Sequence, residues 1–142
     1  MKLQLIALLT VVPAALAGVV ALAQDKKDAG KTRYFEMRTY IASPGKMAAL
    51  HSRFRDHTNK LFVKHGMELV GYWQAVSGEN ADHTLIYILA YPSKEARDAS
   101  WKAFAADPDW QKAKKESEAD GVPLAGKVVS QFITPTDYSP IK

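Results

Sequence analysis

Between Tyr34 and Tyr40 the chain reads YFEMRTY, and strand periodicity of two sorts these residues into two sets. Tyr34, Glu36, Arg38 and Tyr40 fall on one side; Phe35, Met37 and Thr39 fall on the other. An arginine in such a row can hold a carboxylate, an enolate or another anion in its planar fork of donors. His57, further along, titrates near neutral pH and suits proton movement. Tyr40 and Tyr72 carry phenolic donors for a developing oxyanion, while Trp101, Trp73 and Tyr87 offer aromatic walls to a flat apolar ligand. The candidate catalytic residues are His57, Arg38 and Tyr40. The candidate ligand-binding set is Glu36, Arg38, Tyr40, His57, Tyr72 and Trp101. Each has a structural counterpart: an ion pair between Glu36 and Arg38, a hydrogen-bonded core histidine, and aromatic packing. Arg97, Asp107 and Trp110 read as residues that fix the second helical layer.

Other chemistries lack their residues. His51 and His57 are six apart, which turns them about 120° from one another on a helix, and neither forms a ligand motif with His65 or His83, so no built-in metal site is expected. There is no glycine-rich phosphate loop, no G-x-S-x-G and no c-type haem attachment sequence. No cofactor is expected, although a non-covalent haem on His57 or His65 stays compatible with the sequence. The chain has no cysteine, which removes disulfides and thiol chemistry. Its formal charge of +4 is spread among acids, as in KESEAD, without the aromatic-interleaved basic stripe of a nucleic-acid surface.

Residues 1–23 begin Met1-Lys2, continue through an apolar run and end Ala21-Leu22-Ala23. That is the pattern of a secretory signal cleaved after Ala23, with Ala15-Leu16-Ala17 as a second such site. A retained membrane anchor is the alternative for a run of about 20 apolar residues. The expected product is exported, periplasmic or secreted, and meets the membrane only through the signal segment during export. Residues 24–32 are polar and read as a flexible tether, and residues 33–135 form the folded domain, followed by a tail at 136–142.

Six elements can position the candidate residues. Strand one runs from Tyr34 to about Ile41 and ends at the Pro44-Gly45 turn. Met47, Leu50, Phe54, His57 and Leu61 then step by three and four, the spacing of an amphipathic helix whose sheet-facing side or margin includes His57. Gly66 is its stop. Strand two is Met67 to Ala75, where period two groups Glu68, Val70, Tyr72 and Gln74 against Leu69, Gly71 and Trp73. Strand three is Thr84 to Tyr91. Ser93 caps the next helix, Asp107-Pro108 restarts it, and strand four is Val128 to Thr134. This order is the ferredoxin-like βαββαβ arrangement, an α+β fold with a four-stranded antiparallel sheet and helices on one face. Strand three, TLIYILAY, leaves neither side polar and needs cover on both. Helices cover one side, so a homodimer packed sheet to sheet is expected, with roughly 1.5 to 3 kcal/mol from each large apolar side chain buried.

Together, Tyr34-Phe35-Glu36-Met37-Arg38-Thr39-Tyr40, Pro44-Gly45-Lys46, Phe54 and His57, His65-Gly66, Gly71-Tyr72-Trp73, Arg97 and Asp107-Pro108-Asp109-Trp110 resemble the NIPSNAP domain over about Arg33 to Pro135. The resemblance implies a dimeric α+β barrel, a superfamily that includes cofactor-independent monooxygenases, haem-dependent enzymes, isomerases and proteins without an established reaction. It implies no particular activity for this chain. Three functions are open: binding of a small aromatic or enolisable molecule in a cleft between sheet and helices, a monooxygenase- or isomerase-like enzyme, or a structural and interaction module.

Overall fold

The computed structural model describes residues 33–142; the signal segment at 1–23 and the tether at 24–32 lie outside them. Strand β1 spans Tyr34–Ala42, β2 Glu68–Gln74, β3 Thr84–Tyr91 and β4 Ala125–Ile133. All pairings are antiparallel, in the order β2-β3-β1-β4. Helix α1 (Met47–Arg53) passes through a π turn (Phe54–Thr58) into α2 (Asn59–Lys64), and α3 (Lys94–Ala106) is followed by α4 (Pro108–Ser117). This is the ferredoxin-like α+β protomer.

The capping chemistry reads directly from side chains. Ser93 Oγ accepts the Ala96 N–H at 3.2 Å, and Asp107 Oδ1 accepts the Asp109 N–H at 2.8 Å with Pro108 opening α4. Each closes a donor that the helix's first turn leaves open. Asp107 also receives Lys64 Nζ and His65 Nε2, both at 2.7 Å, which ties the end of α2 to the start of α4. Gly66 follows α2 with φ +77°, the left-handed conformation that a side chain at that position would strain.

Register assigns the faces. Glu36, Arg38 and Tyr40 lie opposite Leu89, Tyr87 and Leu85 of β3, and Glu36 touches Arg97 and Trp101 of α3, so this row faces the helices. Phe35, Met37 and Thr39 lie opposite Ala90, Ile88 and Ile86 on the outer side. On β2 the expected alternation fails, because a bulge between Leu69 and Gly71 shifts the register. Leu69, Tyr72 and Gln74 consequently share the helical face, while Glu68, Gly71 and Trp73 share the outer one. The extra residue of a bulge resets a period-two pattern without altering composition. Strand β4 starts at Ala125, earlier than its apolar residues indicate. Ser43 holds that start through its N–H to Leu124 O (3.0 Å) and its Oγ to Pro123 O (2.6 Å).

Leu50, Phe54, Leu61, Phe62, Leu85, Tyr87, Leu89 and Phe104 form the core between helices and sheet. The helices stop short of β4: Val128 and Phe132 project toward the helical side yet stay exposed. A cleft opens there.

Candidate functional site

At the centre of the sheet's helical face Glu36 is completely buried. Its Oε1 accepts Arg38 Nη1 at 2.9 Å and Arg97 Nη2 at 2.8 Å. Its Oε2 accepts Arg97 Nε at 2.8 Å, Trp101 Nε1 at 2.9 Å and Tyr91 Oη at 3.3 Å. Burial alone would raise the carboxyl, but the Arg97 hydrogen bonds and the Arg38 and Arg97 charges hold it below the ordinary glutamate value. The carboxylate faces two guanidinium groups, and Arg97 also donates from Nη1 to Asp98 Oδ1 at 3.1 Å. Arg38 is also stacked, 4.3 Å from the Trp101 ring centroid and 5.6 Å from that of Tyr40, and its Nε is enclosed without a partner among the described residues.

Glu36, Arg38 and Tyr40 thus share one face of β1 as the alternation indicates, and the cluster draws in Tyr91 and Arg97 as well. Arg97 was legible as more than a helix-fixing residue: Arg97, Trp101 and Phe104 recur at helical spacing, and a charge within an apolar stripe calls for a buried partner.

Beside this cluster, between the helices and the open side of the sheet, lies a cleft of about 250 Å3. Tyr40, Phe54, Phe62, Trp101, Phe104 and Trp110 give it aromatic walls; Val128 and Ala125 of β4 also line it, together with Arg53, Thr58 and Glu118. The rings touch one another, with Phe62–Trp101 centroids 5.4 Å apart and Phe104–Trp110 centroids 4.5 Å apart, within the range of favourable aromatic pairs.

The π turn decides which helical residues reach the cleft. A π turn takes one more residue than an α turn. Phe54 and Thr58 are buried and line the cleft, whereas His57 is only half-buried and is not part of its wall. Thr58 Oγ1 donates to Arg53 O at 3.1 Å and so satisfies a carbonyl within the widened turn. His57 was placed at the helix margin by α-helical spacing; the widened turn gives the inward position to Thr58.

Arg53, not singled out by the sequence, is buried in the same wall. Its Nη1 donates to Glu118 Oε1 at 2.8 Å and to Ser117 Oγ at 3.3 Å, and its guanidinium lies 5.2 Å from the Trp110 ring centroid. Its Nε is enclosed without a partner among the described residues. Leaving such a donor unmet costs about 1–3 kcal/mol.

The remaining candidates separate. Tyr72 stacks on Tyr87 with centroids 5.4 Å apart and borders a different depression with His51, Asn59 and Gln74. The Tyr72 and Tyr87 hydroxyls have no partner among the described residues, and burial pushes both phenols well above their ordinary value. Trp73 lies on the outer face, exposed, with its ring over Gly71, where an added Cβ would come within 2.7 Å of it. His65 Nε2 is held by Asp107 and His57 is absent from the cleft wall, so these residues do not fit a haem in this cleft.

The family model for NIPSNAP matches residues 35–140. The chain belongs to the NIPSNAP family. A NipSnap protein of Caenorhabditis elegans is 29% identical over 108 residues, which are 76% of this chain but only 19% of that relative. Among solved structures, a NIPSNAP family protein of unknown function from Agrobacterium tumefaciens superposes with a TM-score of 0.68 at 24% identity, covering 80% of this chain and 96% of its own. A monooxygenase of Streptomyces coelicolor in complex with nanaomycin D superposes with a TM-score of 0.54 at 14% identity, covering 79% of this chain and 95% of its own. At those identities the two likenesses show the NIPSNAP chain's fold alone, the ferredoxin-like α+β protomer.

Proposed function

We propose that this NIPSNAP protein is an exported homodimer that binds a small, flat aromatic molecule in the cleft between sheet and helices. The observation that carries the reading is the cleft's construction: six aromatic rings around about 250 Å3, with the Arg38 guanidinium packed on two of them. That volume lies below the roughly 300–1,000 Å3 of pockets for drug-sized ligands, which favours a molecule of one or two rings. Tyr40 and Trp101 border the ligand, Arg38 packs against both rings from outside the cleft wall, Glu36 locks Arg38 in place, and Tyr72 supports Tyr87 at a distance from the ligand.

Binding is favoured over turnover because Glu118, the carboxylate of the cleft wall among the described residues, is tied to Arg53. The dimer rests on the outer sheet face, where Trp73, Val129 and Ile133 are exposed beside half-buried Met37, Ile86 and Ile88. A contiguous apolar sheet face of this kind is stable when a partner covers it.

Native mass spectrometry of protein purified from its own host tests both parts. The expected spectrum is a dimer carrying the added mass of a one- or two-ring compound. A monomer that stays bare after incubation with 1-naphthol would defeat the reading.

A further inference from the structure

The geometry points to Arg53 as a carboxylate anchor, so that the cleft's ligand is an aromatic carboxylate held with its acid group against this arginine. The inference rests on the cleft being a binding site, as proposed above, and adds the ligand's chemical class and the residue that selects it.

Three observations converge. First, Arg53 is 6% exposed and lies in the cleft wall, so the little access it has is shared with the aromatic cavity. Second, its hydrogen bonds are lopsided. Nη1 serves Glu118 and Ser117, Nε is enclosed without a partner, and Nη2 makes no side-chain hydrogen bond among the described residues. The Nε–Nη2 edge is the one that meets a carboxylate with two parallel hydrogen bonds. Third, the neighbourhood favours an anion. Arg53, Lys114 and Glu118 are the charged residues of the wall, two cations to one anion, and the Trp110 ring fixes the guanidinium plane from one side.

Glu118 then has two roles. Its Oε1 also accepts the Leu124 N–H at 3.1 Å, so it fixes the turn into β4. Burial alone would raise its carboxyl, but the Arg53 hydrogen bond and the Leu124 N–H hold it low, and it stays an anion that competes with an incoming carboxylate for the same guanidinium. Arg38 is a poorer anchor, because Glu36 already answers its charge from a fully buried position.

The test compares 1-naphthoate with 1-naphthol, two probes of the same ring system, by calorimetric titration of the full chain. Naphthoate is expected to bind at least about tenfold more tightly, the worth of one charge-assisted hydrogen bond. Arg53→Gln brings the ratio of naphthoate to naphthol affinity down to about one, whereas Glu118→Gln, which keeps the Leu124 acceptor, raises that ratio and raises naphthoate affinity itself. Thermal melting checks each variant; should Arg53→Gln fail to fold, Glu118→Gln decides by itself. If naphthol binds and naphthoate is not preferred, or if Glu118→Gln leaves naphthoate affinity unchanged, the anchor is refuted and the aromatic cleft stands. If neither probe binds, both fall.

Discussion

Glu36 and Arg97, 61 positions apart, meet in a two-point contact: Nε to Oε2 and Nη2 to Oε1, each 2.8 Å. This pair joins the first half of β1 to the first turn of α3, and with Trp101 and Arg38 it sets the aromatic wall beside the cleft. Glu36→Gln leaves two arginines facing a neutral amide, and removing one partner of a buried pair costs about 3 kcal/mol or more. Urea unfolding is expected to show a loss of that size, and a loss below about 1 kcal/mol, the range of surface pairs, would mean the contact is solvent-screened.

Acid stability follows from the same carboxylates. Glu36 and Glu118 are held below the ordinary glutamate value of 4.5, and Asp107, bonded by Lys64 and His65, below 3.8. Carboxyls depressed in the folded state contribute stability that is complete above their unfolded values and disappears as pH falls through the folded ones. The urea midpoint should therefore hold steady from neutrality to about pH 5 and drop steeply below 4.5. Glu36→Gln should shallow that drop; an equal slope in the variant would show that Glu36 is not one of the groups taking up protons.

The π turn depends on Thr58. Thr58→Val keeps the shape and removes the hydroxyl that donates to Arg53 O, with an expected loss of about 1 kcal/mol. Because the turn presents both Arg53 and Phe54 to the cleft, the variant should also bind 1-naphthol less tightly. Unchanged stability and unchanged binding would together show that the turn holds without this hydrogen bond.

The outer sheet face gives a separate prediction. Trp73→Lys combined with Val129→Lys places charge on two exposed apolar positions of that face. Light scattering should give a dimer for the natural sequence and a monomer for the double variant at micromolar concentration, with the fold intact by circular dichroism. A dimer that survives both lysines would move the interface elsewhere.

Much of the architecture was legible because it rests on periodicity. YFEMRTY announced its two faces, Ser93 and Asp107 announced two helix starts, and Gly66 a stop. Three features were not. The β2 bulge and the π turn each insert a single residue, which reverses or rotates every side chain beyond it while leaving local composition untouched. That is why Glu68 and Leu69 exchange their expected faces and why His57 was placed near the cleft; Arg53 precedes the π turn, and its burial was hidden by its charge. The beginning of β4 depends on Ser43, about 80 residues away in sequence and reachable only through the fold. Within the candidate set, Glu36, Arg38, Tyr40 and Trp101 gather at one place, while Tyr72 and His57 do not.

The cleft itself is best tested through the three tryptophans, since Trp101 and Trp110 line it and Trp73 lies on the opposite side of the sheet. Titration with 1-naphthol, followed in a nitrogen–proton correlation spectrum, should move the indole N–H signals of Trp101 and Trp110 and leave that of Trp73 in place. Movement of Trp73 alone, or of none of the three at saturating probe, would contradict an aromatic-binding cleft between sheet and helices.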